Sequence, residues 1–395
     1  MDDQRSELAG LVSERENAFV FPFSDDLLHN VLRKDVISFA TGEPDFGELK
    51  FDIQSLIDST PSRTINNYNS PVGMPSLVNA IERWRPDVIG PGNRVNVVTG
   101  SHQAIDVLCR IFLDKNDTVV VAEATYFAAL ATFRSYGANV TPVKMTIDTI
   151  DELFLRLGRD NIRPKLFYIV SNYANPTGSS IDSEIMTRVI ELSNSHKFLI
   201  LEDDPYGYLG YHQEKNATIK ELENRNNENF KRCIYISTFS KILAPGLRLG
   251  WACLPDWIAE RFARVILLSN VCSNGLSQVI LEDFITSGQI DRFVHRAANL
   301  LRARSAAMTI ALRSLHSHNI NFVEPRGGYY FWIELPKHID ADKFLSAAVG
   351  NGVNFFPGRY FSADGCFNNF IRLSISSTDE EIIHQGVERL FKTFK

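Results

Sequence analysis

From Asn66 onward, short, mostly apolar or extended runs alternate with stretches whose apolar residues recur every three or four positions. The runs Val95–Val98, Thr118–Ala122, Asn139–Val143, Lys165–Val170, Phe198–Leu201 and Cys233–Ile236 are bounded by turn residues and predict strands. The spacing over Ser76–Trp84, His102–Leu113, Phe127–Tyr136 and Ser183–His196 predicts helices. Strands alternating with helices imply crossover connections and a mostly parallel sheet. Continuous apolar strands suit a sheet covered on both faces.

The ends of the chain differ from this middle. Residues 6–18 predict a short charged helix, and residues 36–46 a strand followed by a glycine-proline turn. After about residue 290 a long helix (Asp291–Leu315) leads to strands at Phe331–Glu334 and Phe370–Ile375 and a final helix near Asp379–Phe394. We therefore expect three parts. Residues 1–46 form an arm and part of a small domain, 47–290 a large α/β domain, and 291–395 a smaller α+β domain. The polar stretch Glu221–Glu228 is expected to be a surface loop.

Composition adds exclusions. The 395 residues are 44% hydrophobic and 22% charged, as in an ordinary globular protein with a sizeable core. A net charge of −6 argues against nucleic acid or an anionic membrane surface as the main partner. Cys109, Cys233, Cys253, Cys272 and Cys366 are scattered without metal-ligand spacing, which predicts free thiols, no metal and a reducing, cytoplasmic setting. The charged N-terminus has no apolar core for a signal peptide, and no apolar run is long enough for a membrane helix.

The most specific chemistry lies after the run Cys233–Ile236, in Ser237-Thr-Phe-Ser-Lys-Ile-Leu-Ala-Pro-Gly-Leu-Arg-Leu-Gly-Trp251. The Lys241 amine can condense with an aldehyde, while Thr238, Ser240 and the fork of Arg248 suit a phosphate. Thr99-Gly-Ser-His-Gln-Ala104 sits between a strand and a helix, where backbone N–H groups bind phosphate. Asp203 and Asp204 close another apolar run, at the edge where open α/β sheets bind ligands. Arg372 interrupts an apolar strand, which is costly unless something pairs with it.

Together, in this order and spacing, these strings resemble the fold-type I, class I/II aminotransferases that use pyridoxal 5'-phosphate (PLP), over roughly residues 37–376. The resemblance implies a large domain with a mostly parallel seven-stranded sheet flanked by helices, plus a smaller α+β domain. It implies that Lys241 holds PLP and moves the substrate's proton. Asp203, favoured over Asp204, would pair with the ring nitrogen, and Tyr206 and Asn175 would contact the phenolic oxygen. Tyr126 would stack on the ring, and Ser101, His102, Gln103, Thr238, Ser240 and Arg248 would hold the phosphate. In a homodimer, Tyr68 would reach the phosphate of the neighbouring subunit. Arg372 would grip the substrate carboxylate, with Gly42 and Asn175 beside it. Two positions depart from the family's usual pattern, His102 and Ala124.

The implied reaction moves an amino group from an L-amino acid to a 2-oxo acid such as 2-oxoglutarate. β-Elimination, decarboxylation, cyclisation and oxidation start from the same chemistry and stay open as alternatives. A regulatory protein built on this fold is a third reading, and the short acidic stretch before residue 37 speaks against a DNA-binding domain there. The strings Pro245–Trp251 and Phe355–Gly358 resemble the branch acting on 2-aminoadipate, kynurenine, aromatic or branched substrates. Tyr330, Phe331 and Phe355 are candidates for its apolar pocket as well as for core, and Arg326 and Arg359 for selecting an acidic side chain.

Overall fold

The structure, a computed structural model, describes residues 11, 13, 23–33, 35–47, 53–212, 216–225, 231–314 and 319–394. The helix expected over residues 6–18 lies outside the described residues apart from Leu11 and Ser13.

After helix α1 (Asp25–Val31) and strand β1 (Ile37–Ser38) come α2 (Ile53–Ser59), α3 (Ser62–Asn66) and α4 (Pro75–Trp84). The central sheet follows: β2 (Asn93–Val98), β3 (Thr118–Ala122), β4 (Asn139–Val143), β5 (Pro164–Val170), β6 (Leu199–Asp203), β7 (Cys233–Thr238) and β8 (Gly250–Pro255). Helices α5 (Ser101–Phe112), α6 (Phe127–Ser135), α7 (Ile147–Arg159), α8 (Ser183–His196) and α9 (Ile219–Arg225) connect these strands. The seven strands lie in the order β2-β8-β7-β6-β5-β3-β4, and β8 alone runs antiparallel to its neighbours.

The side-chain period of two divides the core. Val119, Val121, Leu166, Tyr168, Leu199 and Leu201 pack with residues of α5, α6 and α10 (Asp256–Asn270) on one face. Val120, Phe167, Ile169 and Ile200 pack under α7 and α8 on the other. Both faces are covered, which is why the strands carry no polar alternation.

The chain continues through α11 (Gly275–Thr286) and the 25-residue α12 (Gln289–Arg313). Then come β9 (Asn321–Phe322), β10 (Tyr330–Glu334), α13 (Ala341–Gly350), β11 (Val353–Asn354), β12 (Phe356–Pro357), β13 (Phe370–Ser374) and α14 (Glu380–Lys392). An antiparallel sheet has the order β12-β13-β10-β9, and β1 pairs in parallel with β11. Of the strand and following turn expected over 36–46, the strand is Ile37–Ser38.

The expected loop at Glu221–Glu228 is corrected by α9, which holds its first five residues; 226–230 lie outside the described residues. Glu221 and Glu223 are buried because their charges are used. Glu223 accepts from the Arg232 and Cys233 N–H groups at 2.6 and 2.7 Å and pairs with the buried Lys220 at 2.9 Å. Polar composition here marks a wired interior rather than solvent.

Glu202 on β6 fixes the same helix. Its two oxygens accept from the Ile219 and Lys220 N–H groups, each at 2.8 Å, at the start of α9. Exchanging Glu202 for glutamine puts an amide NH2 where one acceptor stood. Glu202→Gln is expected to lower unfolding stability by about 1–3 kcal/mol, seen as a shifted urea midpoint at unchanged slope.

Candidate active site

The C-terminal ends of the parallel strands converge on a cavity of about 320 Å³. Lys241 enters it from the loop after β7, Asp203 from the last position of β6, Asn175 from the turn after β5, and Ser101 from the first position of α5. Arg372 arrives from β13 in the antiparallel sheet. The cavity therefore opens at the strand ends of the large sheet and is closed by the smaller one.

Three consecutive carboxylates leave β6 in three directions. Glu202 turns to α9, as above. Asp204 turns away from the cavity, accepting from Tyr235 Oη at 3.0 Å, with Arg85 as the nearby cation. Asp203 faces the cavity. Its Oδ2 accepts from Tyr168 Oη at 2.8 Å, while its buried Oδ1 has no hydrogen-bond partner among the described residues. Burial pushes the Asp203 carboxyl up to about 7, with the Tyr168 hydrogen bond pulling it down and neighbouring Asp204 pushing it further up. Such a group is matched by a cationic N–H donor arriving from the cavity.

The loop around Lys241 folds back on itself. Ser240 N–H donates to Thr238 Oγ1 at 3.2 Å, and Arg248 Nη1 to Ser240 Oγ at 3.2 Å. Pro245–Leu247 makes one 3₁₀ turn, and Arg248 takes a left-handed φ of 51°, which swings its guanidinium back towards Ser240. Gly100, at φ 80°, leaves room for it: a Cβ there would lie 2.7 Å from Arg248 Nη2. Two hydroxyls, one guanidinium and the start of α5 thus lie together; Thr238 and Ser101 line the cavity, Ser240 and Arg248 stand behind them, and the set fits a phosphate. Lys241 Nζ donates to the Gly42 carbonyl at 2.7 Å.

Arg372 is buried between aromatic faces, 4.4 Å from the Tyr330 ring centre, 4.8 Å from Phe361 and 5.2 Å from Phe356. It donates to Asn175 Oδ1 at 2.8 Å and to the Ala40 carbonyl, neither of them charged. Burial pulls its pKa down. A buried guanidinium with neutral partners suits an incoming carboxylate.

Other residues singled out in the sequence fall variously. Tyr126 lines the cavity, its hydroxyl pushed up to about 12 by burial and then by Asp203. Tyr206 Oη lies 3.2 Å from Tyr330 Oη, and a Cβ on Gly42 would collide with the latter. His102 lines the cavity, with its ring edge-on to Tyr126. Gln103 turns its side chain back to accept from Thr99 N–H at 2.7 Å, which leaves its backbone as the part able to face a phosphate. Tyr68 is 84% exposed and does not line the cavity of its own chain.

Phe331 and Phe355 are core, each fully buried and packed on Phe322 and Phe344 respectively. Tyr330 does line the cavity, and the rest of the apolar wall is Phe23, Leu28, Val31, Leu32, Phe127 and Phe356. Phe356 is the residue paired in register with Arg372, a relation that needs the strand pairing to be known. Arg359 pairs with Asp342 at 2.8 Å, and Arg326 lines a separate cleft with Glu324 and Glu334.

A family model described as aminotransferase class I and II matches residues 34–390. Aromatic-amino-acid aminotransferase 1 of Thermococcus litoralis is 31% identical over 385 residues, covering 94% of this chain and 90% of that protein. The 2-aminoadipate transaminase of Thermus thermophilus is 28% identical over 306 residues, covering 76% and 75%. Among solved structures, kynurenine aminotransferase of Pyrococcus horikoshii, in complex with PMP, superposes with a TM-score of 0.91 at 28% identity, over 99% of this chain and 98% of that one.

The state of Asp203 gives a prediction for the cofactor-free protein. Its folded-state pKa is raised, so the folded form holds the proton more tightly. The resulting stability is fully present below the ordinary carboxylate range near pH 4 and is lost as pH rises through about 7. Asp203→Asn removes this loss. Between pH 5 and 8 the variant should gain on the order of 2–3 kcal/mol over the parent, measured by denaturant unfolding at both pH values. Glu202 titrates alike in both proteins and cancels in the difference.

Proposed function

The chain belongs to the class I and II aminotransferases, and we propose that within this family it acts on L-amino acids with aromatic or other large apolar side chains, with a 2-oxo acid such as 2-oxoglutarate as acceptor. It is a PLP-dependent enzyme that moves an amino group between amino and 2-oxo acids. The substrate reading is carried by the cavity wall. Phe23 meets Phe127, Phe356 and Tyr360 edge-on at 4.9–5.4 Å, next to the single lining arginine, Arg372. An acidic side chain would find no second guanidinium there among the described residues. The relatives named for aromatic amino acids and kynurenine agree with this wall.

The residues fit the cofactor: an orphaned buried carboxylate oxygen at one place, a phosphate-binding set at another, and an amine between. When bound, PLP supplies an electrophilic carbon for the amino group and a ring that takes up the electron pair left at Cα. In our reading Lys241 would hold the cofactor covalently, and its amine would move the proton at the substrate's Cα. Asp203 keeps a proton on the ring nitrogen. Tyr206 and Asn175 orient the phenolic oxygen, and Tyr126 lies against the ring. Ser101, Thr238, Ser240 and Arg248 hold the phosphate, with the backbones of His102 and Gln103. Arg372 binds the α-carboxylate beside Gly42, which fixes the Cα–H bond relative to Lys241.

In the same proposal 47–290 is the large cofactor-binding domain, 1–46 an arm with part of the small domain and 291–395 the small domain; of the latter two, described residues such as Phe23, Gly42, Tyr330 and Arg372 line the cavity. The exposed Tyr68 supports a homodimer in which it reaches the neighbouring phosphate. Among the described residues no cysteine is joined in a disulfide, which supports a reducing, cytoplasmic setting. No helix among the described residues is long and apolar enough to cross a membrane.

Borohydride treatment followed by peptide mass spectrometry should fix the cofactor to Lys241 in the parent and to nothing in Lys241→Ala. In steady-state assays, phenylalanine, tyrosine or kynurenine should exceed aspartate in kcat/KM by about tenfold or more; the reverse order would remove the aromatic reading. Arg372→Leu should lower kcat/KM for every amino acid by about 30-fold or more.

A further inference from the structure

Tyr168 was read from the sequence as one more apolar residue of a strand, and no role above uses it. It is fully buried in the middle of β5, on the face shared with Leu166 and Leu201. In the parallel pairing of β5 with β6, Tyr168 lies opposite Leu201 and Val170 opposite Asp203. Residues two apart share a face, so Asp203 is the diagonal neighbour of Tyr168, within reach of a long side chain. The hydroxyl closes that diagonal with its 2.8 Å bond to Asp203 Oδ2. The ring is held by Phe133 of α6, with centroids 5.4 Å apart at 67°, so the donor is fixed by packing on a rigid sheet.

We propose that Tyr168 is a positioning residue for the reaction: its hydroxyl occupies one oxygen of Asp203 and so directs the other into the cavity for the ring nitrogen of PLP. The inference rests on the reading of Asp203 given above. A carboxylate on a short side chain can present either oxygen by rotation about its last bond. One strong buried donor removes that freedom, because turning away would leave both the hydroxyl and Oδ2 unsatisfied. The observed pattern, Oδ2 bonded and Oδ1 bare, is the one such an anchor produces. The donor also opposes burial, drawing the carboxyl towards its ionised form, which is the form that pairs with a protonated ring nitrogen. The other ionisable groups around Asp203 are Tyr126 at the start of α6, Glu202 and Asp204 beside it in the chain, and Lys241, His102 and Arg372 across the cavity. Among the described residues none of these donates to Oδ2, which takes the Tyr168 hydroxyl.

The test is an affinity comparison using the full chain freed of cofactor. Tyr168→Phe is titrated with PLP and with its 1-deaza analogue, which carries carbon in place of the ring nitrogen. We expect about tenfold weaker binding of PLP and unchanged binding of the analogue. Equal losses for both ligands would mean that Tyr168 only packs the strand, and no loss for PLP would mean that Asp203 needs no anchor; either result overturns the proposal. Asp203→Ala, run in parallel, separates the two layers. If it fails to favour the analogue relative to PLP, the reading of Asp203 itself falls. If it discriminates and Tyr168→Phe does not, only the present inference falls. Should Tyr168→Phe not fold, Tyr168→Phe/Asp203→Ala is compared with Asp203→Ala alone. Equal PLP affinity supports an action through Asp203, and a further loss overturns it.

Discussion

Two ionisable groups of opposite sign are buried at the cavity with hydrogen-bonding capacity left over, Asp203 at Oδ1 and Arg372 at Nε. Burying an ionisable group is tolerated when it is paired, and each of these is only partly served by its protein neighbours. Much of the surrounding architecture is what keeps them apart and rigid. Asp203 sits at the end of a central parallel strand covered on both faces. Arg372 sits on an antiparallel strand of the other sheet, wrapped by aromatic rings that lower its dielectric surroundings without neutralising it. In the proposed function the ligand would supply what the fold withholds, and that preorganised shortfall would be available as binding energy at the reacting centre.

The same reasoning explains the run Glu202-Asp203-Asp204, which on paper is a cluster of like charges. A strand sends successive side chains to opposite faces, and the chain turns directly afterwards. Glu202 is absorbed by backbone donors of a helix start, Asp204 by Tyr235 and the charge of Arg85, and Asp203 alone faces the cavity. Three identical-looking carboxyls thus take a structural, a bridging and a ligand-facing place through geometry alone.

Much of this was legible before the structure. The strands Thr118–Ala122 and Asn139–Val143 and the helix Ser183–His196 lie where periodicity put them, because their apolar patterns have one interpretation. Lys241, Asp203, Asn175, Ser101 and Arg372 share one cavity as the spacing of the strings implied. What failed to show was anything set by pairing between distant segments. Helix α9 hid behind a polar sequence whose charges point inward. Phe356 and Phe355 differ by one position, and only the register with Arg372 says which faces the cavity. Tyr168 looked apolar because five of the six residues in its run are hydrophobic, and its hydroxyl gained meaning only from the neighbouring strand.

The carbonyls that hold the two cations come from one short segment: Ala40 accepts from Arg372, and Gly42 from Lys241. Ser374 N–H also donates to Phe39, and β1 pairs only with β11, more than 300 residues away. Strand β1 therefore has no strand partner until residues 353 and 354 have been synthesised, although Gly42 can meet Lys241 earlier. Loop closure over such distances is slow, and the central sheet can form first from local crossover units. On such a route the pairing of β1 with β11 comes late, and the cavity closes with it. A chain halted before residue 372 would hold the lysine and the aspartate but not the closed site.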